Sequence, residues 1–216
     1  MIGFYDYTVI ATYLATVLGL MGMYQAIDGH IMVSIFCLLV SGLLDTVDGR
    51  IARTKKNRTD SEKRFGIQID SLNDIVCFGI LPTVIAYRLW EGEVPVWFIA
   101  TLCFFALCGL IRLAYFNVTE EERQNAESGG RKYYLGLPIT SSTLILPLLF
   151  LLTCLLPAAK TLILTLGLIV TGLLYILPIH IAKPGVKAII VLSLIGAAEL
   201  AGLVYIASVQ IATMPL

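Results

Sequence analysis

Long apolar runs decide what this chain can become. From Tyr7 onward about seven helix-length stretches follow one another, near residues 7–27, 30–53, 66–90, 94–117, 138–157, 160–179 and 185–209, a count good to about one. Each is close to the roughly twenty residues that an α-helix needs to cross the hydrocarbon of a bilayer. The runs are continuous rather than alternating, so a β-barrel is disfavoured and every backbone polar group must be satisfied within a helix. With 58% hydrophobic and only 14% charged residues, the chain is expected to be an all-α polytopic membrane protein, a bundle of about six to eight transmembrane helices. The whole of 1–216 reads as one integral membrane domain, with C-terminal helices at 160–209.

A formal net charge of zero gives no sign of a nucleic-acid partner, but the distribution of cations is informative. Arg50, Arg53, Lys55, Lys56, Arg58, Lys63 and Arg64 form one group, Arg112, Arg123, Arg131 and Lys132 a second, Lys183 and Lys187 a third. In a seven-span arrangement all three fall on one side, leaving Arg88 and Lys160 opposite. By the positive-inside rule that side is the cytoplasm, so a multi-pass protein of the cell (inner) membrane is expected. Asp6 and Tyr7 stand where a signal peptide would carry basic residues, so the first span should be retained. Cys37, Cys77, Cys103, Cys108 and Cys154 lie in apolar spans without metal-type spacing and read as small hydrophobes in a reducing setting.

The chemistry concentrates in residues 45–74. On a helix advancing about 100° per residue, Asp45, Asp48, Gly49, Ala52 and Arg53 share roughly one-third of the circumference, and so do Gly66, Asp70 and Asp74. Two such faces joined by the loop 54–65 would bring four carboxylates to one space. Carboxylates so crowded repel one another, and one or two divalent cations are the natural remedy. Gly49 and Ala52 remove bulk from the face that carries the acids, leaving room for something as large as a nucleotide. The basic loop serves equally as an ordinary positive-inside loop or as a collar attracting phosphates.

Other residues leave alternatives open. Thr8, Thr12, Tyr13 and Thr16 bond either to their own helix or to a ligand. Arg112 either snorkels or faces the site as a fixed cation, with Asn117 near it at the boundary. The loop 118–136, with Gly129 and Gly130 as hinge, suits a mobile cover or a plain connector. Glu199 is a lone acid in the last span, packing or functional; Ala198 to Gly202 gives a small-residue packing face. His30 and His180 read as interfacial residues.

The ordered spacing D-x-x-D-G-x-x-A-R followed by G-x-x-x-D-x-x-x-D resembles the signature of the CDP-alcohol phosphotransferases, membrane enzymes that move a phosphatidyl-type group from a CDP-linked donor to an alcohol. The interval between Arg53 and Gly66 is twelve residues where eight are common in that family. The segments D-S-L-N-D-I-V-C-F-G-I-L-P at 70–82, R-L-A-Y-F-N at 112–117 and Y-L-G-L-P at 134–138 resemble its serine-accepting branch, the phosphatidylserine synthases, over about residues 5–150. The resemblance implies that Asp45, Asp48, Asp70 and Asp74 hold two divalent cations, Mg²⁺ or Mn²⁺. It further implies that Asp74 takes the proton of the attacking hydroxyl, and that Asp45, Asp48, Gly49, Ala52, Arg53 and Gly66 hold the CDP group. The substrates would be CDP-diacylglycerol and L-serine, the products phosphatidylserine and CMP, and the assembly a homodimer in the lipid bilayer. Arg112 with Asn117 is expected to hold the serine carboxylate. A glycerol 3-phosphate or inositol phosphate acceptor keeps the reaction and changes the headgroup. A cation transporter is a rival of another class, disfavoured because transport acids usually lie near the bilayer midplane.

Overall fold

In a computed structural model, residues 2–55, 57–126, 133–182 and 185–213 are described. The chain is an all-α polytopic membrane protein. Its helices are α1 (Tyr7–Ile27), α2 (Ile31–Thr54), α3 (Asp60–Leu89), α4 (Val96–Ala126), α5 (Ser142–Leu155), α6 (Lys160–Ile176) and α7 (Val186–Thr213). The first four, together with Pro157–Ile176, are long and apolar enough to cross a membrane; Ile139–Leu155 and Ile190–Ile206 are apolar but shorter.

Helix α1 carries a seam of small residues, Ala11, Ala15, Gly19, Gly22 and Ala26, all buried. A Cβ at Gly19 would lie 2.6 Å from Cys77 Sγ and one at Gly22 3.0 Å from Cys37 Cβ, so the missing side chains let α1 approach α2 and α3 closely. Beyond the seam the core is built from Ile35, Leu38, Phe78, Leu81, Ile85, Phe98, Phe105, Ile139, Leu164 and Leu168. Of the free cysteines, Cys37, Cys77 and Cys108 are buried as expected, whereas Cys103 and Cys154 lie on the outer surface. Arg88 donates from Nε to Ala26 O at 3.1 Å, and Lys160 pairs with Glu91 at 2.7 Å. Both cations therefore sit at the end of the bundle where α1 and α3 finish, away from the aspartates.

Two boundaries differ markedly from the sequence expectation. Helix α3 starts at Asp60 rather than Gly66, because Thr59 and Glu62 form a reciprocal capping box in which the Thr59 hydroxyl accepts from Glu62 N and the Glu62 carboxylate accepts from Thr59 N. The connection after α2 is correspondingly short. Helix α4 continues past Asn117 to Ala126, with Arg123 and Glu120 paired one turn apart along the extension. The proposed hinge Gly129 and Gly130, with Lys56, Arg131, Lys132 and Lys183, lies outside the described residues.

Within α3, Ile75–Ile80 form a π-helical stretch directly after Asp74. Pro82 supplies the cause: it has no N–H for the Phe78 carbonyl and its ring crowds that carbonyl, so the helix widens just before it. A short antiparallel ribbon pairs Tyr133–Leu135 with His180–Ala182, with Tyr134 opposite Ile181. It fastens the chain ahead of α5 to the chain after α6. Gly136 makes the fastening possible: its φ of +73° suits glycine, and a Cβ there would stand 2.5 Å from the Tyr175 carbonyl oxygen.

Because the obstacle at Gly136 is backbone, Gly136→Ala is expected to destabilise the protein by about 2–4 kcal/mol. Thermal unfolding in detergent checks this; an unchanged midpoint would show that the ribbon tolerates another conformation.

Candidate active site

Of the four acids expected to converge, three meet in one group. Single carboxylate oxygens of Asp45 on α2 and of Asp70 and Asp74 on α3 all lie within 4.8 Å of one another. The carboxyls of Asp45 and Asp74 meet side chain to side chain, and so do those of Asp48 and Asp70. Asp48 therefore joins the cluster through Asp70 rather than as part of the tight trio. The spacing of three residues on α2 and four on α3 accounts for this, since it stacks successive acids on one side of each helix.

Helix α1 forms a third wall. Thr12 donates from Oγ1 to Asp48 Oδ2 at 3.0 Å, both residues being buried. Thr16 donates to Asn73 Oδ1 at 2.8 Å as well as to its own helix at Thr12 O. Asn73 Oδ1 also accepts from Cys77 Sγ at 3.3 Å. The threonines that could have bonded only to their own backbone thus reach the acidic face of both neighbouring helices.

A cavity of about 160 Å³ opens beside the cluster. Thr8, Val9 and Thr12 line it from α1, Asp48, Gly49 and Ala52 from α2, and Arg58, Lys63, Gly66, Ile67 and Asp70 from the approach to α3 and from α3 itself. A Cβ built on Gly49 would meet nothing within 4 Å among the described residues. Among the described residues no packing contact requires glycine there. Arg53 lies on α2 one turn beyond Gly49, but its side chain is outside those described.

The rim of this cavity is tied by ion pairs. Lys55 Nζ lies 2.7 Å from both Asp6 Oδ2 and Glu62 Oε1. Asp6 also caps α1, accepting from Thr8 N at 2.9 Å and from the Thr8 hydroxyl. The bond from Lys55, helped by Thr8, holds the Asp6 carboxyl down at about 2, so the tie stays charged throughout the physiological range. Phe4 meets Phe65 edge to face with 5.2 Å between ring centres, which packs the same N-terminal segment against the start of α3.

Arg112 is 8% exposed, its guanidinium carbon 5.2 Å from the centre of the Phe116 ring, and its charge acts on Asp74. Asn117 Nδ2 donates to Ser71 Oγ at 2.9 Å, and Ser71 Oγ to Asn117 Oδ1 at 3.1 Å. Both α4 residues singled out from sequence therefore face α3 beside the acids.

The buried atoms Asp70 Oδ1 and Asp74 Oδ1 make no hydrogen bond among the described residues. Unpaired carboxylate oxygens aimed at one point, with an all-oxygen donor set, fit a hard divalent cation.

The description CDP-alcohol phosphatidyltransferase belongs to the family model that matches residues 7–177. That interval contains all four acids and Arg112. The chain belongs to the CDP-alcohol phosphatidyltransferase family. Members of this family generally use divalent metals, in keeping with the donor set. Among similar proteins, the CDP-diacylglycerol–serine O-phosphatidyltransferase of Saccharomyces cerevisiae is 40% identical over 108 residues, covering 50% of this chain and 37% of that protein. The enzyme of the same name from Helicobacter pylori is 30% identical over 135 residues, 62% of this chain and 53% of its own. An archaetidylserine synthase from Methanothermobacter thermautotrophicus is 34% identical over 123 residues, 56% of this chain and 47% of its own. The chain thus matches about half, or less, of the length of these relatives.

Removing the hydroxyl that steadies Asp48 is expected to cost activity without costing the fold. Thr12→Val should lower release of CMP from a CDP-linked lipid by about 10–100-fold, while Thr12→Ser keeps most of it. Equal losses in both variants would mean the hydroxyl is immaterial.

Proposed function

We propose that the protein transfers the phosphatidyl group of CDP-diacylglycerol to the hydroxyl of L-serine, giving phosphatidylserine and CMP. The observation that carries this reading is the meeting of Asp45, Asp70 and Asp74 beside a cavity in a chain of this family. The names of the relatives support serine as acceptor, and the archaetidylserine synthase among them leaves the lipid half to be fixed by assay.

Asp45, Asp48, Asp70 and Asp74 would hold two divalent cations, Mg²⁺ or Mn²⁺, which when bound neutralise charge on the diphosphate and on departing CMP. Gly49 and Ala52 leave room for the nucleotide, Gly66 lines the same cavity from α3, and Arg53 adds a cation on the same face of α2. Asp74 accepts the proton of the serine hydroxyl as its oxygen bonds to the lipid-linked phosphorus, and the phosphorus–oxygen bond to CMP breaks. Arg112 takes the serine carboxylate in two parallel hydrogen bonds, with Asn117 beside it. The gathering of cations near the acids supports a site on the cytoplasmic face of the cell membrane. The homodimer implied by the family resemblance completes the reading.

In vesicles containing CDP-diacylglycerol, serine-dependent CMP release is expected to need Mg²⁺ or Mn²⁺ and to stop in chelator. Asp74→Asn should lower kcat by about 10²–10⁴-fold. Faster turnover with glycerol 3-phosphate or an inositol phosphate would replace serine as acceptor, and metal-independent turnover would end the reading.

Arg112→Ala is expected to raise KM for serine by about tenfold or more while changing that for the CDP-lipid little. An equal rise in both would remove Arg112 from the acceptor site.

A further inference from the structure

The cavity beside the acids has a second chemical pole that the family motif does not include. Arg58 lies between α2 and α3, outside the motif, and lines this cavity together with Asp48 and Asp70. The other described cations of the rim have carboxylate partners: Lys55 bridges Asp6 and Glu62, and Lys63 lies 3.3 Å from Asp60. Arg58 instead donates from Nη2 to a backbone carbonyl, Glu62 O, at 3.0 Å. Its Nε is buried and makes no hydrogen bond among the described residues. Among the described residues no carboxylate forms an ion pair with this guanidinium, and a buried donor without an acceptor is costly unless a ligand supplies one.

Gly66 explains how the guanidinium reaches this place. A Cβ at residue 66 would come within 2.5 Å of Arg58 Nη2. The absence of a side chain there lets the guanidinium lie directly against the helix that carries Asp70 and Asp74. One position thus connects the motif to a residue outside it.

We propose that Arg58 binds phosphate oxygens of the CDP group of the donor substrate, and that Gly66 is glycine to seat it. The inference rests on the reading that this cavity takes a CDP-linked lipid. A guanidinium fork presents parallel donors that match a phosphate, which an ammonium does not. The carboxylates at the opposite pole would repel that phosphate unless cations lay between, so the arginine supplies the attraction that reaches the nucleotide from the loop side.

The test uses the full chain in lipid nanodiscs with Mg²⁺, with CDP, CMP and cytidine as soluble probes. Incorporation of labelled serine gives KM for both substrates, and calorimetric titration gives affinity for each probe without turnover. Arg58→Ala is expected to weaken CDP and CMP and to raise KM for CDP-diacylglycerol by about tenfold or more, leaving cytidine affinity and KM for serine within about twofold. Arg58→Lys should recover only part of the loss, and Lys63→Ala should change CDP affinity by less than about threefold. Gly66→Ala should weaken CDP in the natural chain and add nothing further in the Arg58→Ala background. Unchanged CDP affinity in Arg58→Ala would overturn the inference, as would an equal loss for cytidine or strictly additive effects at residues 58 and 66. Should Arg58→Ala fail to fold, Arg58→Lys and Gly66→Ala carry the same comparison. Arg58-dependent binding of CDP by a protein that does not turn over serine would sink the acceptor assignment and leave this inference standing.

Discussion

Mutual repulsion among the carboxylates of Asp45, Asp48, Asp70 and Asp74 is the constraint to which the rest of the bundle answers. Four acids on two helices cannot be brought together unless something else holds those helices and something positive joins the acids. The first requirement is met by packing: the small-residue seam of α1 draws α2 and α3 against a common partner, and Cys77 and Leu81 fill what Gly19 and Gly22 leave open. For the second, Asp70 Oδ1 and Asp74 Oδ1, which make no hydrogen bond among the described residues, fit the divalent cations proposed above. Close helix packing and charge crowding are therefore two sides of one arrangement.

Hydrogen bonds decide how the acids are aimed. Thr12 takes one oxygen of Asp48, and Thr16 takes the amide oxygen of Asn73, the residue that precedes Asp74. Neither threonine is charged, and both sit on the helix with no acid of its own. At the rim, Lys55 ties the segment before α1 to the start of α3. Arg112 approaches from the other flank, its guanidinium against the Phe116 ring and its charge acting on Asp74.

Much of this was legible from residue spacing, because a period of three and four residues is itself a statement about helix faces. The shared faces of Asp45, Asp48, Asp70 and Asp74 needed no further information, whereas a position at a span boundary left Arg112 either snorkelling or facing the site. The role of α1 was not legible: threonines four residues apart look the same whether they bond to their own helix or to a neighbour, and Thr16 does both. The capping box at Thr59 and Glu62 was present in the sequence, yet the basic residues around it favoured a loop; local hydrogen bonding outweighed charge. The ribbon of Tyr133–Leu135 with His180–Ala182 pairs residues separated by two helices, and no local pattern announces such a partner.

The widened turn between Ile75 and Ile80 carries an implication for how this helix could have arisen and how it could be lost. An extra residue accommodated in a single turn lets the preceding acids and the following Leu81 and Ile85 each keep the neighbours they need, though an ordinary helix could not satisfy both. Regular α-helical winding over the same residues would turn one half of α3 by about 100° relative to the other. Either the acids would leave their cluster or the apolar half would leave its core, so the wide winding of this segment is as tightly fixed as any side chain in the site.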